Sequence, residues 1–368
     1  MPSHSLQLTS LSLKRGSQTV VRDFSLSLLQ GEYCVVVGSS GSGKSTLLHG
    51  IAGLIAPSTG SVSIQGENVT ALAARKRDVA LLFQHDTMYP HLTVEQTLRI
   101  AVEASPGQRH SSAEVNQRMR WISKSLQLDP AWMSRRPDTL SGGQRRRVAL
   151  AKTLIRKPVV CLLDEPMAAI DRSATENLLD HLADLSSAPE SPTFVHVTHD
   201  GDEAMRLADK IVVMDQGTIL QTGAPADIYR QPNSVAVALA LGSPPCNRLD
   251  LEAVLVFCPE LGEVLQTIDD KNFNQRFLLV RTEAIRLSSL PDHGTCAAEG
   301  IQNGEWCFPV SLVEQRDLGS RMLVRFRCTW DSFSETLTAL LSPESASTDF
   351  GSECLCRVPI SELRVVAH

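Results

Sequence analysis

The chain has 368 residues, a formal net charge of −6, 42% hydrophobic residues and 21% charged residues, an ordinary globular composition with room for two domains. The acidic balance argues against a dominant nucleic-acid-binding surface, which would need a basic face. No apolar run approaches the ~20 residues that span a bilayer, and the first residues do not resemble a secretion signal, so we expect a cytoplasmic protein that acts on a membrane only through a partner.

The first predicted unit is a strand, a glycine-rich loop and a helix. Residues 33–37 are apolar and β-branched, as in a buried parallel strand, and residues 45–52 have a helical pattern. The phosphate loop between them, residues 38–45, reads G-x-x-x-x-G-K-S. Its glycines let backbone N–H groups surround phosphate oxygens at a helix N-terminus. Lys44 is expected to reach the β- and γ-phosphates, and the Ser45 hydroxyl to bind Mg²⁺.

A second motif, Leu-Ser-Gly-Gly-Gln, occupies residues 140–144. The three arginines that follow it, Arg145 to Arg147, form the densest basic run. Three arginines are too few for a nucleic-acid-binding tract, so we expect them on a solvated or interface-facing helix surface.

Residues 159–163 form another apolar run and predict a second buried strand, which leads into Asp164 and Glu165. The carboxyl edge of a doubly wound sheet is where such folds bind ligands. Asp164 is expected to hold Mg²⁺, directly or through water, and Glu165 to orient and deprotonate the attacking water. A third strand-like run, residues 194–197, precedes His199.

Together, in this order, the motifs resemble those of the ATP-binding-cassette ATPases over the first ~235 residues. The resemblance implies an α/β phosphate-loop ATPase domain, residues 1–236, with a helical subdomain at about residues 85–150. It also implies ATP and Mg²⁺ as cofactors. Phe83 and Gln84 resemble the Q-loop, Asp171 the D-loop aspartate, and His199 the switch histidine that contacts the γ-phosphate.

The resemblance assigns four groups of residues. The implied ATP-binding residues are Gly38, Ser39, Ser40, Gly41, Ser42, Gly43, Lys44, Ser45, Thr46 and Arg15, and the implied metal-binding residues are Ser45, Gln84 and Asp164. The implied catalytic residues are Glu165, His199 and Gln84, and the signature that contacts ATP on a second subunit is Leu140, Ser141, Gly142, Gly143 and Gln144. Half of each nucleotide site would therefore come from another copy of the chain.

Three positions depart from the family pattern. Arg15 stands where most relatives have an aromatic residue stacked on adenine, and an arginine plane could stack there too. Ala168 replaces a serine that is usual in the D-loop, and Gly201 replaces a glutamine that many sugar importers have. The catalytic set is complete, so we expect an active ATPase.

Two further segments narrow the resemblance to importers. Residues 88–94 resemble the segment that faces a permease, and residues 227–232 with 241–247 are similar to carbohydrate importers of the maltose and glycerol-3-phosphate type. Importers of polyamines, ferric iron or inorganic anions share the layout and remain alternatives. The implied assembly is a homodimer of this chain with membrane permease subunits at the cytoplasmic face of the membrane, supplied by a solute-binding protein and without nucleic acid.

Residues 237–368 differ in sequence pattern from the preceding residues, because short apolar runs alternate with turn residues after Pro244 and Pro245. We expect strands within residues 251–257, 277–280, 310–313, 322–326 and 355–360. They predict a small all-β OB-like domain. Residues 279–287 and 313–320 resemble landmarks of importer regulatory (TOBE/MOI-type) domains, so a regulatory and dimerisation role is favoured over nucleic-acid binding. The cysteines concentrated here are expected to be reduced and apolar in role, with a zinc site as the alternative.

Two other classes of function remain open. One is a regulatory or nucleic-acid- or ribosome-associated cassette ATPase, although such relatives usually carry two cassettes, long coiled coils or zinc modules. The other is an adaptor that binds ATP in order to dimerise and hydrolyses little of it.

Overall fold

The structure is a computed structural model, and it describes residues 4–84, 88–104, 110–168, 170–268, 277–289, 300–330, 333–342 and 353–366. The chain divides into two compact units, Met1–Ala226 and Asp227–His368. Parts of the predicted helical subdomain, residues 85–87 and 105–109, lie outside the described residues, as does Ala169 of the predicted D-loop.

The first unit contains two sheets. The antiparallel sheet has the order β2-β1-β4-β5, with strands β1 His4–Arg15, β2 Gln18–Leu29, β4 Pro57–Ile64 and β5 Glu67–Asn68. The second sheet has the order β10-β9-β3-β8-β7-β6, with strands β3 Tyr33–Val37, β6 Val79–Leu82, β7 Val160–Asp164, β8 Thr193–Thr198, β9 Lys210–Asp215 and β10 Thr218–Gly223.

Five strands of the second sheet run parallel, and β10 pairs antiparallel with β9 at its edge. The central strands β3, β7 and β8 are buried along their whole length, which explains their continuous apolar sequences. The sequence-predicted strands at residues 33–37, 159–163 and 194–197 correspond to these three. All five parallel strands therefore end at the same edge of the sheet.

The helices of the first unit connect these strands. They are α1 Lys44–Ala52, α2 Val94–Glu103, α3 Ser112–Ser125, α4 Gly142–Leu154, α5 Arg172–Ser186 and α6 Gly201–Leu207. Three of them, α2 to α4, lie between β6 and β7, where the sequence predicts a helical subdomain. Each of the three begins with a Ser or Thr cap and a Gln or Glu three residues later that bonds back to it, a capping box.

One hydrophobic core joins the two sheets and α1. Leu6 and Phe24 from the antiparallel sheet, Leu47 from α1, and Val36 and Leu162 from the parallel sheet are all fully buried in it. The phosphate-loop helix is thus held by this apolar cluster, and burial of such side chains contributes about 1.5–3 kcal/mol each.

The second unit is mostly β. A three-stranded sheet has the order β11-β12-β19 and a larger sheet the order β13-β18-β15-β16-β17, with β14 paired to β15. The strands are β11 Asn247–Asp250, β12 Phe277–Val280, β13 Arg286–Ser289, β14 Gly300–Gln302, β15 Glu305–Asp317, β16 Met322–Trp330, β17 Phe333–Leu341, β18 Glu353–Pro359 and β19 Leu363–Val366. The helices that follow Gly223 are α7 Pro225–Arg230, α8 Val235–Ala240, α9 Leu251–Phe257 and α10 Pro259–Ile268.

One strand prediction in this unit is wrong. Residues 251–257 form α9, not a strand, because the Asp250 side chain caps the helix by accepting the Ala253 N–H at 3.1 Å. Leu251 and Val254, three residues apart, are buried together with Leu261 of α10. A short apolar run fits a strand and a helix equally well until such a cap and such a partner are known.

Two general predictions can be compared with the described residues. Among them, no helix combines the length and the apolar character needed to cross a bilayer. The eight described cysteines are all free and buried, and burial raises the pKa of the Cys354 thiol to about 11. Within the described residues no group of three or more potential ligands is arranged to hold a metal ion.

Candidate functional site

The phosphate loop leaves β3 and enters α1 through left-handed glycines. Gly41 and Gly43 have φ angles of 83° and 105°, a region that residues with a Cβ rarely adopt. Gly38 is required for a different reason, since a Cβ there would lie 2.1 Å from the carbonyl oxygen of Met214. The loop is consequently pressed against the end of β9, and its conformation depends on these glycines.

Lys44 is the first residue of α1, and its side chain folds back over the loop. Its Nζ donates to the carbonyl oxygens of Gly38 at 2.7 Å and Ser39 at 2.9 Å. Burial lowers the pKa of Lys44, while the nearby carboxylates of Glu165 and Asp164 act in the opposite direction. A buried cation is thus placed inside a ring of backbone groups and next to two acids, a suitable environment for a phosphate group.

Ser45 and Asp164 meet although they lie far apart in the sequence. The Ser45 Oγ donates to Asp164 Oδ1 at 3.0 Å, and Asp164 is the last residue of β7. Burial raises the pKa of Asp164, and the hydrogen bond from Ser45 opposes this shift. A hydroxyl and a carboxylate side by side are the oxygen ligands that Mg²⁺ prefers, so the pair fits the metal expected from the sequence.

Glu165 is the centre of the predicted catalytic group. Gln84 Nε2 donates to Glu165 Oε2 at 3.0 Å, and His199 Nδ1 lies 3.3 Å from Glu165 Oε1. Gln84 follows β6, Glu165 follows β7 and His199 follows β8, three neighbouring strands of the sheet. The structure therefore brings together the three residues that the sequence predicts as catalytic, at one edge of the sheet.

The backbone of Glu165 is unusual, with a φ of 45° at a residue that is not glycine. This left-handed conformation costs about 1–2 kcal/mol for residues with a Cβ. Two backbone contacts support it: Glu165 N donates to Val197 O at 3.0 Å, and Ala168 N donates to Glu165 O at 3.1 Å. Strained residues of this kind are concentrated at functional sites.

The signature residues form the N-terminus of α4. Ser141 is the cap: its Oγ accepts the Gln144 N–H at 3.3 Å, and its own N–H donates to Gln144 Oε1 at 3.1 Å. The S-x-x-Q part of the signature is thus also a capping box. Ser141 and Gly142 are exposed, so the positive end of the helix dipole faces outward, where it can bind an anion.

Two other predicted residues have clear local roles. Asp171 caps α5, because its Oδ1 accepts the Ala174 N–H at 2.9 Å. Arg15 is the last residue of β1 and is exposed. Its charge contributes to a lowered pKa of His49 on α1, for which burial is the larger cause.

The structure corrects the prediction for the arginine run. Arg146 does not lie on a solvated surface: it is only 3% exposed, and its guanidinium contacts backbone carbonyls beside Gln84 and Glu165. The sequence carries a signal for this, because Arg146 precedes the buried Ala149 and Leu150 by three and four residues on the same helix face.

Asp215 is a site residue that the sequence analysis missed. It ends β9, and its Oδ1 accepts a hydrogen bond from Ser39 Oγ at 3.2 Å. An acidic residue after an apolar run was the signal used for Asp164, and the same pattern, residues 211–215, was present here.

Comparison with known proteins gives consistent matches. The family described as "ABC transporter" matches residues 21–168. The sn-glycerol-3-phosphate import ATP-binding protein of Bartonella bacilliformis is 38% identical over 275 residues, which cover 75% of this chain and 76% of the relative. The xylose/arabinose import ATP-binding protein of Haloferax volcanii is 37% identical over 313 residues, 81% of this chain and 78% of the relative.

Solved structures agree at the level of the first unit. A dimeric ATP-binding cassette in a post-hydrolysis state, bound to ADP and Pi, superposes with a TM-score of 0.54 and 27% identity. The match covers 60% of this chain and 98% of that cassette. The fold of a large part of this chain thus has a counterpart in a cassette that was solved with ADP and Pi bound.

Proposed function

Because the chain belongs to the ATP-binding-cassette family of transporter ATPases, we propose that it is the ATP-hydrolysing subunit of an importer for a sugar or for glycerol 3-phosphate. The observation that carries the proposal is the contact of Glu165 with Gln84 and His199 at the sheet edge that also holds Lys44, Ser45 and Asp164. These residues provide what phosphoryl transfer to water needs: a phosphate cradle, oxygen ligands for a cation and a base.

ATP is the substrate of the proposed reaction. Residues 38–46 would hold its phosphates through backbone N–H groups and the charge of Lys44, with the α1 N-terminus adding its dipole. Ser39 and Asp215 fix the far side of the loop. Arg15, the last residue of β1, is proposed to stack on the adenine.

Mg²⁺ is the proposed metal, and Ser45, Asp164 and Gln84 are the residues that would hold it, because hydroxyl, carboxylate and amide oxygens suit a hard cation. When bound, the ion would neutralise charge on the phosphates. Ionisation of Asp164 is required for this role. Since burial raises the pKa of Asp164, protons would compete with the metal up to a higher pH than they would at an aspartate with an ordinary pKa.

Glu165 is the proposed base. A water molecule attacks the γ-phosphorus, its proton passes to a Glu165 carboxylate oxygen, and the bond to the β,γ-bridging oxygen breaks to give ADP and phosphate. Gln84 follows β6 and His199 follows β8, the strands on either side of β7, and each contacts one carboxylate oxygen of Glu165. Their part is to orient the carboxylate and to position the water and the γ-phosphate.

The signature residues are the basis for the proposed homodimer. Ser141 and Gly142 are exposed at the N-terminus of α4, and we propose that residues 140–144 complete the site of a second copy of the chain. The homodimer would be held at the cytoplasmic face of the membrane by permease subunits, which receive solute from a binding protein. Residues 88–94 are the proposed permease contact, and residues 237–368 are the proposed regulatory and dimerisation domain.

The proposal is tested by solute uptake in cells. Deleting the gene should abolish uptake of one labelled solute among sn-glycerol 3-phosphate, maltose and xylose, and the wild-type gene should restore it. A gene carrying Glu165→Gln should not restore uptake. Unchanged uptake of all three solutes after deletion would contradict the solute class, and restoration by Glu165→Gln would remove Glu165 as the base.

The purified full-length chain tests the chemistry directly. We expect Glu165→Gln to bind ATP with about the wild-type affinity and to hydrolyse it at least about 100-fold more slowly, because only the base is lost. Glu190→Gln is the matched control, since Glu190 is exposed and pairs with Lys157. Its turnover should equal that of the wild type.

A further inference from the structure

Arg146 occupies a buried position in the second turn of α4, the helix that begins with the signature. Five backbone carbonyl oxygens lie within 3.3 Å of its guanidinium nitrogens. The acceptors are Pro166 O for Nε at 2.7 Å, Phe83 O and Gln84 O for Nη1 at 2.8 and 3.3 Å, and Asp164 O and Glu165 O for Nη2 at 3.0 and 2.7 Å.

The number and arrangement of these acceptors suit arginine specifically. A guanidinium has five N–H donors in one plane, whereas a lysine ammonium has three around a point charge. A buried arginine with its donors matched in this way is fixed in orientation, because each displaced N–H would lose a charge-assisted hydrogen bond.

The acceptors belong to two different segments. Phe83 and Gln84 follow β6, and the residues from Asp164 to Pro166 form the end of β7 and the two positions after it. The two strands are paired in the sheet, but the ladder ends at Leu82 and Leu163. Beyond that point the guanidinium of Arg146 donates hydrogen bonds to both segments. Arg146 lies between them and contacts both.

We propose that Arg146 is a positioning residue that sets Gln84 and Glu165 at their contact distance and ties both to the signature helix. The inference rests on the proposed function of Glu165 as the base. Arg146 contacts the main chain of both residues, while their side chains meet at 3.0 Å. It also contacts the carbonyl of Glu165, whose φ of 45° requires support.

The position of Arg146 has a consequence for the proposed dimer. The N-terminus of α4 would bind the nucleotide held by the other subunit, and Arg146 is five residues from the Ser141 cap. A movement of α4 on engaging that nucleotide would therefore shift the Gln84 and Glu165 main chains of its own site. One side chain would link the state of one ATP site to the geometry of the other.

The test compares Arg146→Lys and Arg146→Gln with the wild type, using the full-length chain. We expect kcat to fall about 10–100-fold, while KM for ATP and the dissociation constant of a fluorescent ATP analogue stay within about threefold. Arg77→Lys is the control, because Arg77 is also a buried arginine bound to four carbonyls but contacts neither segment. It should lower thermal stability with kcat per folded protein unchanged.

A double-mutant cycle separates positioning from general destabilisation. If Arg146 acts through the Gln84–Glu165 contact, Arg146→Lys should reduce kcat much less in a Gln84→Ala background than in the wild type. The proposal is overturned if Arg146→Lys lowers kcat by the same factor in the wild-type and Gln84→Ala backgrounds. It is also overturned if Arg146→Lys loses activity only in proportion to its folded fraction, as the control does.

Hydrogen exchange of the nucleotide-free protein gives a result that does not depend on activity. Arg146→Lys should accelerate exchange of the amides that follow β6 and β7 together, and Arg77→Lys should not. Absence of any ATP hydrolysis by the wild type would sink the proposed function, and the exchange comparison would still decide whether Arg146 joins the two segments. Unchanged exchange in both segments would refute the inference.

Discussion

At Arg15 the proposed nucleotide site departs from the family pattern. It ends β1, and the hairpin turn to β2 follows at once, with Arg15 paired to Gln18. Strand β2 also contacts the phosphate loop, because a Cβ on Gly43 would lie 3.0 Å from Val20 O. The β1–β2 hairpin that carries Arg15 therefore also contacts the phosphate loop, and a planar guanidinium is a chemically reasonable substitute for a stacked ring.

We expect Arg15→Ala to raise KM for ATP about 5–10-fold, since loss of a stacked cation costs about 1 kcal/mol. Arg15→Tyr should keep KM near the wild-type value, because a ring restores the stacking surface. Steady-state ATP hydrolysis measures both. Lys14→Ala is the control, because Lys14 is an exposed neighbour on the same strand. Equal KM values in all variants would show that Arg15 does not contact the adenine.

A buried arginine binds the C-terminal end of α1, the end opposite Lys44 and Ser45. Arg77 is 2% exposed, and its Nη1 donates to Gly50 O at 2.9 Å and to Ile51 O at 2.7 Å, in the last turn of α1. Its Nε and Nη2 bind Leu72 O and Thr70 O. A cation at a helix C-terminus satisfies carbonyls that have no partner within the helix and interacts favourably with its dipole.

Arg77→Ala should therefore lower the free energy of unfolding of the first unit by about 2–4 kcal/mol, because carbonyls bound to a buried charge lose their donors. Denaturant unfolding monitored by circular dichroism measures this change. Arg75→Ala, an exposed arginine two residues earlier, should change stability by less than about 0.5 kcal/mol. Equal effects of the two substitutions would contradict the assigned role.

At the scale of the whole molecule, the meeting of the proposed catalytic residues depends on the parallel sheet. Gln84, Glu165 and His199 come from three separate parts of the sequence and meet because β6, β7 and β8 are neighbours that end at one edge. The signature begins α4 and presents its exposed N-terminus outward. The proposed second subunit would supply the donors that close over the γ-phosphate.

Mixed dimers test this division of the site. Lys44→Ala and Ser141→Arg chains should each be inactive alone, because every site in each homodimer carries one defect. Mixed in equal amounts, they should regain about a quarter of wild-type hydrolysis, because half of the dimers are mixed and each contains one intact site. No gain on mixing would show that the signature does not act on the other subunit.

The sequence alone determined those features of the proposed site that depend on neighbouring residues. The glycines at 38, 41 and 43, Lys44, and the acids after an apolar run could be identified because loop conformation and strand burial are encoded in neighbouring residues. The S-x-x-Q spacing likewise encodes the start of α4. Most of the fold of the first unit could be predicted in this way, together with the family that the chain resembles and the residues proposed as catalytic.

Only the tertiary structure decided how distant segments meet. It placed Arg146 between the ends of β6 and β7, paired Asp215 with Ser39, and made residues 251–257 a helix. Each outcome depends on partners far away in the sequence, on carbonyl groups that every residue shares, or on packing that an apolar run does not specify. The sequence determines which hydrogen bonds a residue can donate and how much apolar surface it can bury. The fold determines which groups accept those hydrogen bonds and pack against that surface.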